Sequence, residues 1–191
     1  PDVRRFYRWQ ARIYDSTRWM FLRGRRDACK RLVLRPDHRV LEVGCGTGLN
    51  FRHIVSQLDP CRGRLVGLDF SSDMLRRAAA RVAARRWMNV SLVCGDAVAM
   101  PLLGSFDVIL FAYSLAMIPD WEEALRNARE LLREGGRLVV LEFGDFAGWG
   151  PLAGAIHRWL CLNHVEARRP YSETLVRLFP DVRIEVYGGG Y

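Results

Sequence analysis

Glu42-Val43-Gly44-Cys45-Gly46-Thr47-Gly48 sets three alternate glycines at the end of an apolar run, RVLEVGC at 39–45. Glycine lets a backbone turn sharply and lets a ligand come close to it. A dinucleotide fingerprint needs G-x-G-x-x-G, and here position 49 is Leu, so the spacing is G-x-G-x-G instead. The shorter form suits S-adenosylmethionine, which carries an adenosine but no pyrophosphate. Asp69 ends the next apolar run, 21 residues beyond Gly48. A carboxylate there accepts both ribose hydroxyls of an adenosine. Asp96, in Gly95-Asp96-Ala97, ends the third run. Its carboxylate can accept from the adenine amine, while the following backbone N–H reaches a ring nitrogen. Each aspartate also has a plain use, as a helix cap or a turn residue. The glycine loop ahead of them favours the ligand.

These residues need strands that end together. Runs at 39–45, 63–70, 90–94, 106–113 and 137–143 are apolar and rich in β-branched residues. Helical spacing covers 47–58, 72–86 behind Ser71 or Ser72 as cap, and 120–133 up to a Gly135-Gly136 stop. A helix is expected at 152–164 after Pro151, and a late strand at 182–187. Alternating strands and helices predict an α/β fold, a mostly parallel sheet with helices on both faces. VILFAY and RLVVLEF are nearly continuous in apolar residues, as strands buried on both faces should be. The 191 residues suit a single domain.

Charge is uneven. The chain has 29 Lys+Arg against 21 Asp+Glu, a formal net +8, and residues 1–35 hold eleven basic and three acidic residues. The whole excess therefore belongs to the N-terminal segment, which also carries Phe6, Tyr7, Trp9, Tyr14, Trp19 and Phe21. Arginine interleaved with aromatic rings suits an anionic membrane surface. It also suits RNA, or an ordinary solvated helix face. No apolar run approaches the ~20 residues of a membrane-spanning helix, and no secretory signal is visible. The expected place is the cytoplasm, peripheral at the inner face of the membrane. Five cysteines at 29, 45, 61, 94 and 161 show no C-x-x-C spacing, which reads as reduced thiols with no metal site.

The stretches VLEVGCGTG (40–48), LVGLDFSSDML (65–75), GDAVAMPL (95–102), FDVILFAYSLAMIPD (106–120) and LLREGGRLVVLEFG (131–144) resemble the class I S-adenosylmethionine-dependent methyltransferases. The resemblance implies a Rossmann-like fold with an N-terminal helical segment, residues 1–35, before the core at 36–191. It implies that Gly44, Cys45, Gly46, Thr47 and Gly48 wrap the methionine part of the cofactor. Asp69 would hold the ribose, Phe70 and Met74 would lie beside the adenine, and Asp96 and Ala97 would read its edge. Glu42 would face the methionine ammonium. Tyr113, at the end of the fourth strand, would stand beside the transferable methyl.

That strand end reads Phe111-Ala112-Tyr113-Ser114-Leu115. It has neither the [Asn/Asp]-Pro-Pro-aromatic motif of amino-methylating enzymes on bases or glutamine nor the Pro-Cys of cytosine C5 enzymes. Nucleic acid is accordingly the less favoured partner. Residues 7–25, 113–125 and 141–171 look like the bacterial betaine-lipid N-methyltransferases, which act on diacylglyceryl-homoserine. The phosphatidylethanolamine N-methyltransferases and the quinone C-methyltransferases are similar but more distant. The expected partner is thus an amine-bearing membrane lipid, met on an anionic surface through residues 1–35. Tyr14, Tyr113, Asp145 and His164 are the candidates for lining the amine site, with Tyr14 in a lid over the cofactor. The family's sheet has seven strands. This chain reaches Gly188-Gly189-Gly190-Tyr191 where the last hairpin should begin, so roughly ten further residues are expected.

Overall fold

β1 (Arg39–Val43) and β4 (Phe106–Ala112) lie side by side at the centre of a parallel five-stranded sheet in the computed structural model. The structure describes residues 25–144, 150, 154, 158–161, 165, 166 and 169–185. The strand order is β3-β2-β1-β4-β5, with β2 at Arg64–Asp69, β3 at Val90–Cys94 and β5 at Leu132–Leu141. The chain steps outward from β1 to β3 and then crosses to the other side of β1. The crevice between the ends of β1 and β4 is therefore the switch point, where ligands bind in such sheets.

Alternation across the pleat builds two cores. Val40, Leu65, Val108 and Leu110 face one side with α1 (Arg25–Arg31), α2 (Phe51–Val55) and α3 (Ser72–Arg85). Leu41, Val43, Leu68, Ile109 and Phe111 face the other with α4 (Trp121–Leu131), and Leu175 and Leu178 of α5 (Tyr171–Leu178) pack against that cluster. All seven residues of β4 are buried. Each fully buried Phe or Leu contributes about 1.5–3 kcal/mol, so the central strands fix the strand ends that carry the site. Ser71 caps α3 by accepting from the Met74 N–H at 3.3 Å. A third cluster gathers Tyr113, Ala116, Phe143, Leu160 and Val165 beyond the ends of β4 and β5.

Three expectations differ. The helix at 47–58 contracts to Phe51–Val55, because the glycine loop turns back through 48 with Gly48 N–H donating to the Cys45 carbonyl at 3.0 Å. The Gly135-Gly136 stop is no stop: α4 ends at Leu131, and β5 begins at Leu132 and runs on through both glycines. Leu132 pairs with Phe106 and Arg137 with Val108, so residues 133–136 bulge opposite a single residue, Asp107. Gly135 takes φ +71° there. The late strand is absent from 182–185, and the described residues form five strands. Within the helix expected at 152–164, Gly154 and residues 158–161 are helical.

Candidate functional site

The glycine loop is clamped to β2 by its own backbone. Gly44 and Cys45 both donate to the Leu68 carbonyl, at 2.8 and 3.0 Å, and Gly46 N–H donates to Asp69 Oδ2 at 2.7 Å. Gly44 has φ +68°, and a Cβ placed on it would meet Ser114 Cβ at 2.4 Å. The loop thus presses against the residue that follows Tyr113, and only glycine fits. Gly46 is the opposite case: a Cβ there would meet nothing within 4 Å. Its backbone faces open space, where a ligand can reach it.

Asp69 serves two partners at once. Oδ2 takes the Gly46 N–H, and Oδ1 takes the Ser71 N–H at 2.8 Å. Each carboxylate oxygen keeps a second lone pair, which leaves acceptors for two ribose hydroxyls. Burial raises its pKa, and the two backbone N–H groups oppose that shift. Phe70 is exposed and stands next in line, whereas Met74 is buried. Asp96 Oδ1 accepts from Val98 N–H at 2.9 Å, so this carboxylate caps the turn Ala97–Ala99. Ala97 is buried under that turn.

Glu42 is 2% exposed at the floor of the crevice. Asn50 Nδ2 donates to its Oε1 at 2.7 Å, while Oε2 and Asn50 Oδ1 have no hydrogen-bond partner. Burial pushes the Glu42 pKa up to about 7, against the pull of Asn50 and the Arg25 guanidinium. The Cys45 thiol is pushed well up by burial and by the Asp69 and Glu42 carboxylates, so it stays protonated and unreactive. Arg81 of α3 donates to the Thr47 carbonyl at 3.0 Å and holds the loop from outside.

Tyr113 carries φ +56°, a rare conformation for a side-chain-bearing residue. It is buried, and its ring packs 4.7 Å from that of Phe143. The following turn, Leu115–Met117, is held from below by Glu142, whose Oε1 accepts from Leu115 N–H at 2.6 Å and Ala116 N–H at 3.2 Å. Burial lifts the Glu142 pKa to about 7.

The structure therefore brings Glu42, Gly44, Cys45, Gly46, Thr47 and Gly48 to one crevice, with Asp69 bonded to its loop and Tyr113 beside Ser114. Tyr14, Asp145 and His164 lie outside the described residues, as do 1–24 of the docking segment. Sequence reasoning missed Asn50, Arg81, Glu142 and Arg25. Asn50 had a signal, a polar residue at the head of the helix after the loop. The others reach the site only through tertiary packing. Elsewhere, Val98, Pro119, Trp121 and Arg126 line a broader groove. Its Arg126 already pairs with Glu122 and Glu123, and among the described residues none of the orphaned buried polar atoms belongs to its lining. Among the described residues no group of three or more His, Cys, Asp or Glu is placed to hold a metal.

Comparison with known proteins is consistent with this arrangement. Residues 40–136 match the methyltransferase domain family. A demethylmenaquinone methyltransferase of Shouchella clausii is 34% identical over 119 residues, 62% of this chain and 50% of the relative. Another, from Listeria monocytogenes, is 28% identical over 144 residues, 74% of this chain and 60% of the relative. The chain thus spans about half the length of the first of these relatives. DhpI, solved with S-adenosylhomocysteine, superposes at a TM-score of 0.61 with 26% identity, covering 75% of this chain and 69% of that one. YcgJ of Bacillus subtilis shares the fold at a TM-score of 0.68 and 20% identity, over 81% of this chain and 67% of that one. These relatives are demethylmenaquinone enzymes rather than betaine-lipid enzymes, so they back the quinone resemblance better than the betaine-lipid one. By matched sequence and shared fold, the chain belongs to the methyltransferase domain family, within the class I S-adenosylmethionine-dependent methyltransferases.

Proposed function

We propose that this chain transfers a methyl group from S-adenosylmethionine to a ring carbon of a quinol of the demethylmenaquinone kind. The match to curated demethylmenaquinone methyltransferases carries the choice of acceptor.

In this reading Asp69 accepts the ribose hydroxyls, Phe70 and Met74 flank the adenine, and Asp96 with the Ala97 N–H reads its edge. The loop Gly44–Gly48 runs under the methionine, and Glu42 faces its ammonium. The sulfonium supplies an electrophilic methyl and a neutral thioether leaving group. The chain's task is then alignment, which accounts for most of the rate in such displacements. The acceptor hydroxyl loses its proton, the ring carbon forms the new bond to methyl as the carbon–sulfur bond breaks, and that carbon then releases its hydrogen as a proton while the oxygen takes one back, a net loss of one proton. Tyr113 fixes one wall, and Asp145, His164 and Tyr14 stay candidates for the acceptor side.

A second reading keeps the amine headgroup of a membrane lipid as acceptor. The resemblance of residues 7–25, 113–125 and 141–171 to the betaine-lipid enzymes supports it, and the basic, aromatic segment 1–35 suits a membrane acceptor. That segment serves either acceptor equally, because quinols and lipids both reside in the membrane, and docking on an anionic surface is part of both readings. Incubation with methyl-labelled cofactor and vesicles containing a demethylated quinol, diacylglyceryl-homoserine or phosphatidylethanolamine decides between them. Label on the quinol ring is expected. Label on an amine lipid alone overturns the quinol acceptor in favour of the second reading.

A further inference from the structure

Among the described residues, five buried side-chain polar atoms have no hydrogen-bond partner, and three of them line the same small pocket. They are Arg25 Nε, Glu42 Oε2 and Asn50 Oδ1. Buried polar groups are nearly always paired, and an orphan calls for an explanation. Three orphans around one space call for a shared one.

Their chemistry narrows the partner. Arg25 offers an N–H on a permanent cation. Glu42 and Asn50 offer acceptors, one of them on an acid. Charge complementarity favours a ligand that presents an anionic acceptor to Arg25 and a cationic donor to Glu42 and Asn50. An α-amino acid zwitterion has that pattern. Gly44 and Gly46 line the same pocket, so backbone lies against the ligand where side chains would crowd it.

Arg25 is held for such a task. It opens α1, whose Cys29 is in the core, with Leu32 just beyond the helix. Gln57 ties the Cys29 carbonyl down at 3.1 Å. The guanidinium carbon lies 5.9 Å from the Tyr113 ring centroid, within reach of its π face. One basic residue of the charged N-terminal segment thus points into the crevice.

We propose that Arg25 binds the α-carboxylate of the cofactor's methionine, opposite Glu42 and Asn50 on its ammonium. The assignment rests on the cofactor reading above. It makes the amino-acid end of the ligand a two-sided clamp, with one jaw on α1 and the other on β1 and the loop that follows.

The test compares two ligands by titration calorimetry on the full chain. S-adenosylhomocysteine carries the amino acid, and methylthioadenosine lacks it. Wild type is expected to bind both, the first more tightly. Arg25→Gln is expected to weaken S-adenosylhomocysteine about 10- to 100-fold, the range for a charge-assisted hydrogen bond, and to leave methylthioadenosine within twofold. Arg25→Lys, which keeps the charge, is expected to recover part of the preference. An Arg25→Gln variant that binds S-adenosylhomocysteine like wild type overturns the assignment alone. So does equal weakening of both ligands by Arg25→Gln and Arg25→Lys. Wild type that binds neither ligand overturns the cofactor reading itself, and Arg25 falls with it.

Discussion

Two buried acids sit on the two central strands, at opposite ends of the sheet. Asp107 enters β4 at its N-terminal edge and is 5% exposed. Its Oδ2 accepts from Arg39 N–H at 2.7 Å, and its Oδ1 lies 2.6 Å from Arg133 Nη1 and 3.8 Å from His38 Nε2. Glu42, near the C-terminal edge of β1, is 2% exposed and has one oxygen bonded to Asn50 and one bonded to nothing. Burial is the same, but satisfaction is not. A buried acid with a full set of partners is holding strands together. A buried acid left half-satisfied beside an open pocket, as Glu42 is, carries a cost that a ligand there can offset. For these two acids the contrast separates scaffold from site without reference to any family.

The largest expected effect breaks the scaffold side. Asp107→Ala strips the Arg39 N–H and Arg133 of their partner and should cost about 3 kcal/mol in urea unfolding. The folded fraction should bind S-adenosylhomocysteine within twofold of wild type. A large loss of affinity would erase the distinction between the two ends.

Next comes acidity. Glu42 and Glu142 both titrate near 7 when folded, against 4.5 ordinarily. The folded chain therefore holds more protons than the unfolded one between those values, and stability falls as pH rises from about 4.5 to 7, then levels off. Each group accounts for about 3 kcal/mol of that fall. Glu42→Gln should remove its share, raise ligand-free stability at pH 8, and weaken S-adenosylhomocysteine about tenfold. Denaturation midpoints across pH, wild type against variant, check the slope.

Gly44→Ala should cost about 2 kcal/mol, since its Cβ overlaps Ser114 and its φ is positive. Because the displaced loop belongs to the site, S-adenosylhomocysteine binding should fall with it, as calorimetry would show. Smallest is Ser71→Ala. Losing the cap of α3 should cost about 1 kcal/mol, with ligand affinity almost unchanged; a tenfold drop would mean that the cap positions Asp69.

The part of this that could be read in sequence was the part written locally. The glycine loop, Asp69 and Asp96 each sit at the end of an apolar run, so their shared edge follows once the runs are strands. Ser71 was legible as a cap for the same reason. Gly135-Gly136 misled, because a pair of glycines after a helix reads as a stop, while pairing with β4 carries β5 through them. Glu142 looked like one more residue of the strand expected at 137–143; its work depends on where the turn after Tyr113 lands. Arg25 was one of eleven basic residues in a charged stretch, and only the packing of α1 turns it inward. The acceptor was legible only coarsely, since the residues nearest it are scattered along the chain.

The irregular pairing of β5 has a result of its own. Arg133 reaches Asp107 from inside the looped-out tetrapeptide 133–136. Arg133 thus ties the looped-out segment to the bottom of the sheet, and a deletion that takes it away would leave the buried Asp107 carboxylate with the Arg39 N–H and His38 alone.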